Sequence, residues 1–171
     1  MPELPEVEVV RRGLDARVLG RTFARVEVLH PRAARGNTVD LETALPGLTI
    51  TGTGRRGKYL WLTLSDGAAL LVHLRMSGQM LVAEHGTVTS PHLRIRADIG
   101  DAELDFVDQR TFGYWQYTPL ISGVPQPALH IAPDPFEAEF NLRYAARAMR
   151  RRKSPLKSVL LNQEVVSGIG S

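Results

Sequence analysis

Apolar residues recur at helical spacing near the start of the chain. Val7, Val10, Leu14 and Val18 fall on one face and predict a helix over residues 5–19. Pro5 suits its first turn and Gly20 the position just past its end. Acids come first (Glu3, Glu6, Glu8) and arginines follow (Arg11, Arg12, Arg17), matching the helix dipole. The pattern then shortens to strand-length runs at 22–29, 48–53, 58–64, 68–74, 92–99 and 103–107. Asp66-Gly67 between two apolar runs is a hairpin signal, and Gly100-Asp101 a weaker one. Repeated strands with turn chemistry between them predict a β-sandwich or barrel. Pro119, Pro125, Pro127, Pro133 and Pro135 predict a linker over 119–135. Beyond it, 141–152 reads as a basic helix, and Ser154-Pro155 as the cap of a second short helix over 155–163. Two short helices are too little to own a core. The expected organisation is therefore mainly β with α: a helix plus β-sandwich over 1–118, a linker over 119–135, and the start of a second domain over 136–171.

Composition narrows the function classes. The 171 residues include no cysteine, which excludes disulfides, a thiolate nucleophile and cysteine-based zinc sites within them. The five histidines form no HxxxH pair, so no metal site is expected. No apolar run approaches the ~20 residues of a membrane span, and no secretory signal is visible, so a soluble cytoplasmic protein is expected. Charge is unevenly placed. Residues 141–171 hold seven basic side chains and one acid, Glu164, whereas the rest of the chain holds 14 basic and 17 acidic residues. A basic segment joined to a mildly acidic one suggests a polyanionic partner, with a solvated helix face as the plain alternative.

Several residues could carry chemistry. Removal of Met1 would leave Pro2 as a secondary amine at the N-terminus. An α-amino group titrates near ~7.7–8.0 and a lysine near ~10.4, so the terminal amine is the better nucleophile near neutrality. Its attack on an aldehyde-like carbon gives an iminium directly. Glu3 and Glu6 share a helix face and could divide acid and base roles, or could simply stabilise the helix start. Arg55, Arg56 and Lys58 flank Gly57 in an expected turn, where they suit phosphate contact; a charged hairpin tip is the ordinary alternative. Met76, Arg110 and Phe112 lie in expected loops and could wedge between bases, although Met and Phe at strand ends usually belong to a core. His92 opens a strand. Gly168-Ile169-Gly170 could present backbone N–H groups to a phosphate.

Taken together and in this order, these segments resemble the bacterial formamidopyrimidine-DNA glycosylases, of the formamidopyrimidine/endonuclease VIII family. The matching residues are PELPEVE (2–8), RRGKYL (55–60), HLRMSG (73–78), DQRTFG (108–113), APDPF (132–136) and KSPLKSVLLNQEVVSGIG (153–170), which span nearly the whole chain. The resemblance implies a base-excision repair enzyme that removes oxidised purines, such as 8-oxoguanine and formamidopyrimidines, from double-stranded DNA. It implies Pro2 as the nucleophile toward C1′, followed by β- and δ-elimination. Glu3 would be the general acid and Lys58 a proton donor. Met76, Arg110 and Phe112 would fill the gap left by the extruded nucleotide. His92, Arg110 and Arg152 match DNA-contacting positions, with Lys153 beside the last, and Gly168 and Gly170 belong to the phosphate-binding run.

The family fold implied is an N-terminal helix on a β-sandwich, a linker, then a helix–two-turn–helix domain with a four-cysteine zinc finger. The chain has no cysteine, and Ser171 stands where the family motif carries asparagine. The expectation is therefore an incomplete second domain and no bound cofactor in this monomeric chain. One wall of the DNA cleft is expected to be missing, and activity to be weak or absent. A non-catalytic DNA-binding fragment is the alternative, and the bacterial cytoplasm, at the nucleoid, is the expected location.

Overall fold

A computed structural model describes residues 4–131. The first helix, α1, spans Leu4–Val18 and buries Val7, Leu14 and Val18, with Val10 packed at the margin, the face predicted from the spacing. The strands follow as β1 (Arg25–Val28), β2 (Ile50–Arg56), β3 (Tyr59–Leu64), β4 (Ala68–His73), β5 (Gly78–Ala83), β6 (Leu93–Asp98), β7 (Glu103–Asp108), β8 (Tyr114–Ile121) and β9 (Val124–Pro125). They form two antiparallel sheets, β1-β6-β7-β5 and β2-β3-β4-β8-β9. The mainly-β sandwich with an N-terminal helix is thus present. The expected helix–two-turn–helix portion lies outside the described residues.

Alternation sorts each strand between two faces. Leu60, Leu62, Leu70, Val72 and Trp115 of one sheet meet Ile95, Ala97, Leu104 and Phe106 of the other. The Phe106 and Trp115 rings lie 6.1 Å apart across the sandwich. Each such buried aromatic contributes roughly 2–3 kcal/mol through its apolar area. The outer face of the five-stranded sheet carries a smaller cluster of Trp61, Ala69 and Leu71. Helix α1 packs on β2 and β5, the edge strands of the two sheets, and so closes one open side of the sandwich. A short helix α2 (Leu41–Ala44) and a 3₁₀ turn at Pro31–Ala34 pack on β1 and β8 at the other side. Asp40 caps α2 by accepting the Glu42 amide N–H at 3.0 Å.

The structure departs from the sequence expectation at four places. Strand β2 runs to Arg56, so Arg55 and Arg56 are strand residues and the turn is Gly57-Lys58 alone. Strand β5 has Met80 buried but Leu81 exposed, an amphipathic pattern too short to announce itself. The 3₁₀ turn and α2 were not expected either, because single turns carry no periodicity. Finally, the proline-rich stretch from 119 begins inside a sheet: β8 continues through Pro119 to Ile121 and pairs with β9. Pro119 is tolerated because it faces Ala68, the first residue of β4, where that ladder ends and pairing with β9 begins one residue later. A 3₁₀ turn at Gln126–Ala128 follows.

One buried polar group stands out on the outer face of the four-stranded sheet. Asp105 is fully buried beside Glu103, under a loop whose Gly86 amide donates to Glu103 Oε1 at 3.1 Å. Burial, and then the neighbouring Glu103 carboxylate, push the Asp105 carboxyl up to about 7. Its folded value lies above its unfolded value. The protonated form therefore stabilises the fold at low pH, and that contribution is lost as pH rises through about 7. Asp105→Asn should raise the melting temperature by roughly 3–6 °C at pH 8 and by much less at pH 4.5. Thermal melts at the two pH values check this, and equal gains would contradict it.

Candidate active site

The site is built from the N-terminal end of α1 and three loops at one end of the sandwich. The first loop is the two-residue turn Gly57-Lys58 joining β2 to β3, with Arg56 opposite Tyr59. Gly57 has φ of 61°, the left-handed value that a type II′ hairpin requires at its first central position. The turn carries Lys58 at its tip. Beneath it, Arg55 is buried and donates Nη1 to the Gly57 carbonyl at 3.0 Å and Nε to Glu8 Oε1 at 2.9 Å. Glu8 also receives Arg11 on both oxygens at 2.9 Å and Arg12 Nε at 2.8 Å. The guanidiniums, Arg11 first, outweigh desolvation and hold its carboxyl at about 2. Arg55 is therefore an internal ion-pair partner rather than the phosphate contact suggested by the run of basic residues.

His73 ends β4 in a cross-strand row with Tyr59 and Tyr114. Tyr59 meets its ring edge-on at 4.6 Å and Tyr114 stacks at 5.7 Å. Burial, then the charges of Arg75, Arg35 and Lys58, lower His73 to about 4, so the ring is neutral at pH 7. Its Nδ1 accepts the Arg75 amide N–H at 3.1 Å, which leaves the proton on Nε2 as a donor. The same three cations make this end of the sandwich electropositive. Burial and the neighbouring Tyr59 push the Tyr114 phenol up to about 12, and Arg35 lies 4.7 Å over its ring.

The other two loops, 74–77 and 109–113, are held together by the buried Asp108. Its carboxylate accepts the Ser77 hydroxyl, the Arg110 amide at 3.2 Å and the Gly113 amide at 2.7 Å. Arg75 and Thr111 sit at φ of 55° and 56°, strained values for non-glycine residues. Gly113 is needed for space: a Cβ there would lie 2.6 Å from the Phe106 ring and 2.8 Å from the His73 carbonyl. A Cβ at Gly78 would similarly meet the Leu74 carbonyl at 2.5 Å and the same Phe106 ring at 3.0 Å. Held this way, Met76 and Phe112 remain exposed at the loop tips. Arg110 reaches from one loop to the other, with Nη1 3.8 Å from Met76 Sδ. Arg32 lies 5.4 Å over the Phe112 ring. A cleft of about 370 Å³ opens between Glu6 and Val10 on α1 and Met76, Ser77 and Gly78, with Met80 on its floor.

Of the residues singled out in the sequence, Met76, Arg110 and Phe112 converge at these two loops, and Glu6 shares the cleft with Met76. Lys58 is close enough for its charge to act on His73. His92 belongs to the neighbouring strand entrance, where its carbonyl accepts the Asp108 amide at 2.9 Å. Pro2, Glu3, Arg152, Lys153, Gly168 and Gly170 lie outside the described residues. Sequence reasoning missed Glu8, Arg35, His73 and Asp108 as site residues. Arginines three and four positions after Glu8 were an available signal; the others act through contacts distant along the chain. Among the described residues no group of three or more His, Cys, Asp or Glu side chains could hold a metal. The zinc implied by the resemblance does not fit this chain, which has no cysteine to bind it. No described helix is long and apolar enough to cross a membrane.

Residues 1–115 match the family model of the formamidopyrimidine-DNA glycosylase N-terminal domain. The chain belongs to the formamidopyrimidine-DNA glycosylase family. Formamidopyrimidine-DNA glycosylase from Corynebacterium jeikeium is 52% identical over 187 residues, covering 100% of this chain and 65% of the relative. The one from Mycolicibacterium gilvum is 54% identical over 180 residues, covering 100% of this chain and 63% of its own length. The chain thus spans somewhat less than two thirds of these curated relatives. The crystal structure of Lactococcus lactis Fpg in complex with DNA containing an abasic site superposes with a TM-score of 0.81 at 31% identity, over 99% of this chain and 64% of that one. The Lactococcus lactis complex with DNA containing Fapy-dG gives 0.80 at 31% identity, over 98% and 64%.

The family's DQRTFG segment thus has a local physical role here: Asp108 fixes the loop that carries Arg110 and Phe112. Asp108→Ala should cost about 1–3 kcal/mol, because it strands the buried Gly113 amide and removes the acceptor of the Ser77 hydroxyl. Denaturant unfolding measures this, and limited proteolysis should show new cleavage confined to 74–77 and 109–113.

Proposed function

We propose that this protein is a base-excision repair DNA glycosylase and abasic-site lyase acting on oxidised purines in double-stranded DNA. The observation that carries the reading is the convergence of Met76, Arg110 and Phe112. They form exposed tips beside a cleft edged by Glu6, at the electropositive end of a family member's sandwich. Chemistry on a base requires its extrusion from the stack, which costs a few kcal/mol. Two exposed apolar side chains and a planar cation mounted on stiff loops can offset that cost by occupying the vacated space. The solved relatives contain Lactococcus lactis Fpg bound to DNA with an abasic site or Fapy-dG, which supports damaged DNA as the partner here.

In this reading the Pro2 amine attacks C1′ of the damaged nucleotide. The base leaves with the glycosidic electron pair, and its proton comes from the site's acids. Glu3 protonates the ring oxygen, so the opened sugar is held as an iminium on Pro2. Loss of the C2′ proton then expels the 3′ phosphate, and a second elimination expels the 5′ phosphate. Lys58 donates a proton near the sugar and phosphate. The electropositive end formed by Lys58, Arg75 and Arg35 favours the DNA backbone electrostatically. His92, Arg152 and Lys153 are proposed as further backbone contacts, with Gly168 and Gly170 offering amides to a phosphate. The protein acts as a monomer, with Glu6 facing the base from the cleft.

Borohydride trapping on an 8-oxoguanine duplex tests the reading. A covalent adduct is expected from the native chain, in low yield. None is expected from Pro2→Glu, whose bulk blocks removal of Met1 and so displaces the reactive amine. Lys58→Ala should slow trapping by ~10²-fold, the usual contribution of a positioned proton donor. An adduct that persists in Pro2→Glu overturns the proline mechanism. Salt-sensitive DNA binding with no adduct and no preference for damage would instead identify a non-catalytic DNA-binding module.

A further inference from the structure

The Glu8–Arg55 pair is more elaborate than holding α1 on a sheet requires. Each oxygen of Glu8 accepts two guanidinium N–H groups, Oε1 from Arg11 and Arg55 and Oε2 from Arg11 and Arg12. A carboxylate offers about four lone-pair sites, so this one is saturated and its plane is fixed. Arg55 has only 2% of its side chain exposed. Apolar side chains of the same volume would stabilise such a contact equally well or better, because burying two charges is costly. What the ion pair supplies and apolar packing does not is direction. Arg55 divides its donors between two elements: Nε goes to Glu8 on α1 and Nη1 to the Gly57 carbonyl in the turn that carries Lys58. One rigid guanidinium plane therefore spans both.

A second tether lies one pleat away on the same strand face. Thr53 Oγ1 accepts Arg11 Nη1 at 3.1 Å and donates to Asp15 Oδ1 at 2.9 Å. With contacts at Thr53 and Arg55, α1 can neither slide along β2 nor roll on it without breaking charge-assisted bonds. The N-terminal end of this helix leads into Glu3 and Pro2 in sequence, and the turn bears Lys58.

We propose that Glu8 and Arg55 are positioning residues that set the N-terminal end of α1 and the Lys58 turn at a fixed separation. The proposal rests on the reading that the Pro2 amine and Lys58 serve one reaction. In this role Glu8 and Arg55 act through Leu4–Val18 and through Gly57. Their arrangement converts two segments nearly fifty residues apart into one unit, and a small misplacement of reacting groups can cost ~10²-fold in rate.

Glu8→Gln and Arg55→Lys, each near-isosteric, separate positioning from mere stability. The first readout is amide hydrogen exchange of the native chain and needs no activity. Glu8→Gln should speed exchange ~tenfold in the 56–60 turn, although Glu8 lies on the helix, and Arg55→Lys should speed it likewise in the first turns of α1. Amides of β6 and β7 should be unchanged. Exchange altered only within each variant's own element overturns the proposal. The second readout is the borohydride trapping rate well below the melting temperature. Both variants should trap ~10–100-fold more slowly at undiminished DNA binding. Native trapping rates in variants that are merely less stable would also overturn it. If the native chain itself forms no adduct, the catalytic reading fails, while exchange still decides whether helix and turn are coupled.

Discussion

Burying a carboxylate obliges the surrounding structure to supply its hydration in the form of donors. At Glu8 those donors come from two elements, Arg11 and Arg12 on the helix and Arg55 on β2. Once that bond set is formed, the helix is registered on an edge strand, and the open side of the sandwich is closed in one way rather than several. The apolar face of Val7, Leu14 and Val18 gives the helix a reason to be there. It does not by itself choose a position along the strand, because hydrophobic attraction has no direction. The charge cluster makes that choice, and everything that depends on the relative place of α1 and the Gly57-Lys58 turn follows from it.

The opposite rim of the site uses the same device with a different chemistry. Asp108 gathers amide and hydroxyl donors rather than guanidiniums, and the loops it gathers carry the exposed residues. The cost of holding Arg75 and Thr111 at positive φ is met by these bonds and by the Phe106 ring beneath. Between the two rims lies a histidine kept neutral by burial and by surrounding cations. The site therefore combines positive charge with one uncharged N–H donor, and the distinction comes from the protein's interior rather than from the side chains' ordinary chemistry.

What was legible in the sequence was what local rules determine. The α1 periodicity, the Asp66-Gly67 hairpin and most inner strands follow from spacing and turn chemistry within a few residues. Asp66, for example, accepts the Ala68 amide at 2.9 Å, a bond set by sequence alone. Strands β5 and β8 were hidden because their burial is decided by neighbours: β8 has Trp115 inward and Gln116 half-exposed, and its proline masks the pattern. Candidate wedge residues were legible as one option from their loop setting, and family resemblance favoured it, since Met76 and Phe112 resemble core residues in isolation. Arg55 was misplaced for a related reason. A run of arginines looks solvent-facing until a buried acid 47 positions earlier is known to meet it.

The glycines at 78 and 113 have a mechanical consequence. Both loops rest on neighbouring atoms at the tip of a single aromatic ring, Phe106, which itself leans on Trp115 across the sandwich. The tips are like two jaws mounted on one anvil. A load pressed onto either tip passes into close-packed core, which yields little, instead of being absorbed by bending a loop. Stiffness at the surface of this molecule is thus borrowed from its interior, and it reaches both loops through the same ring.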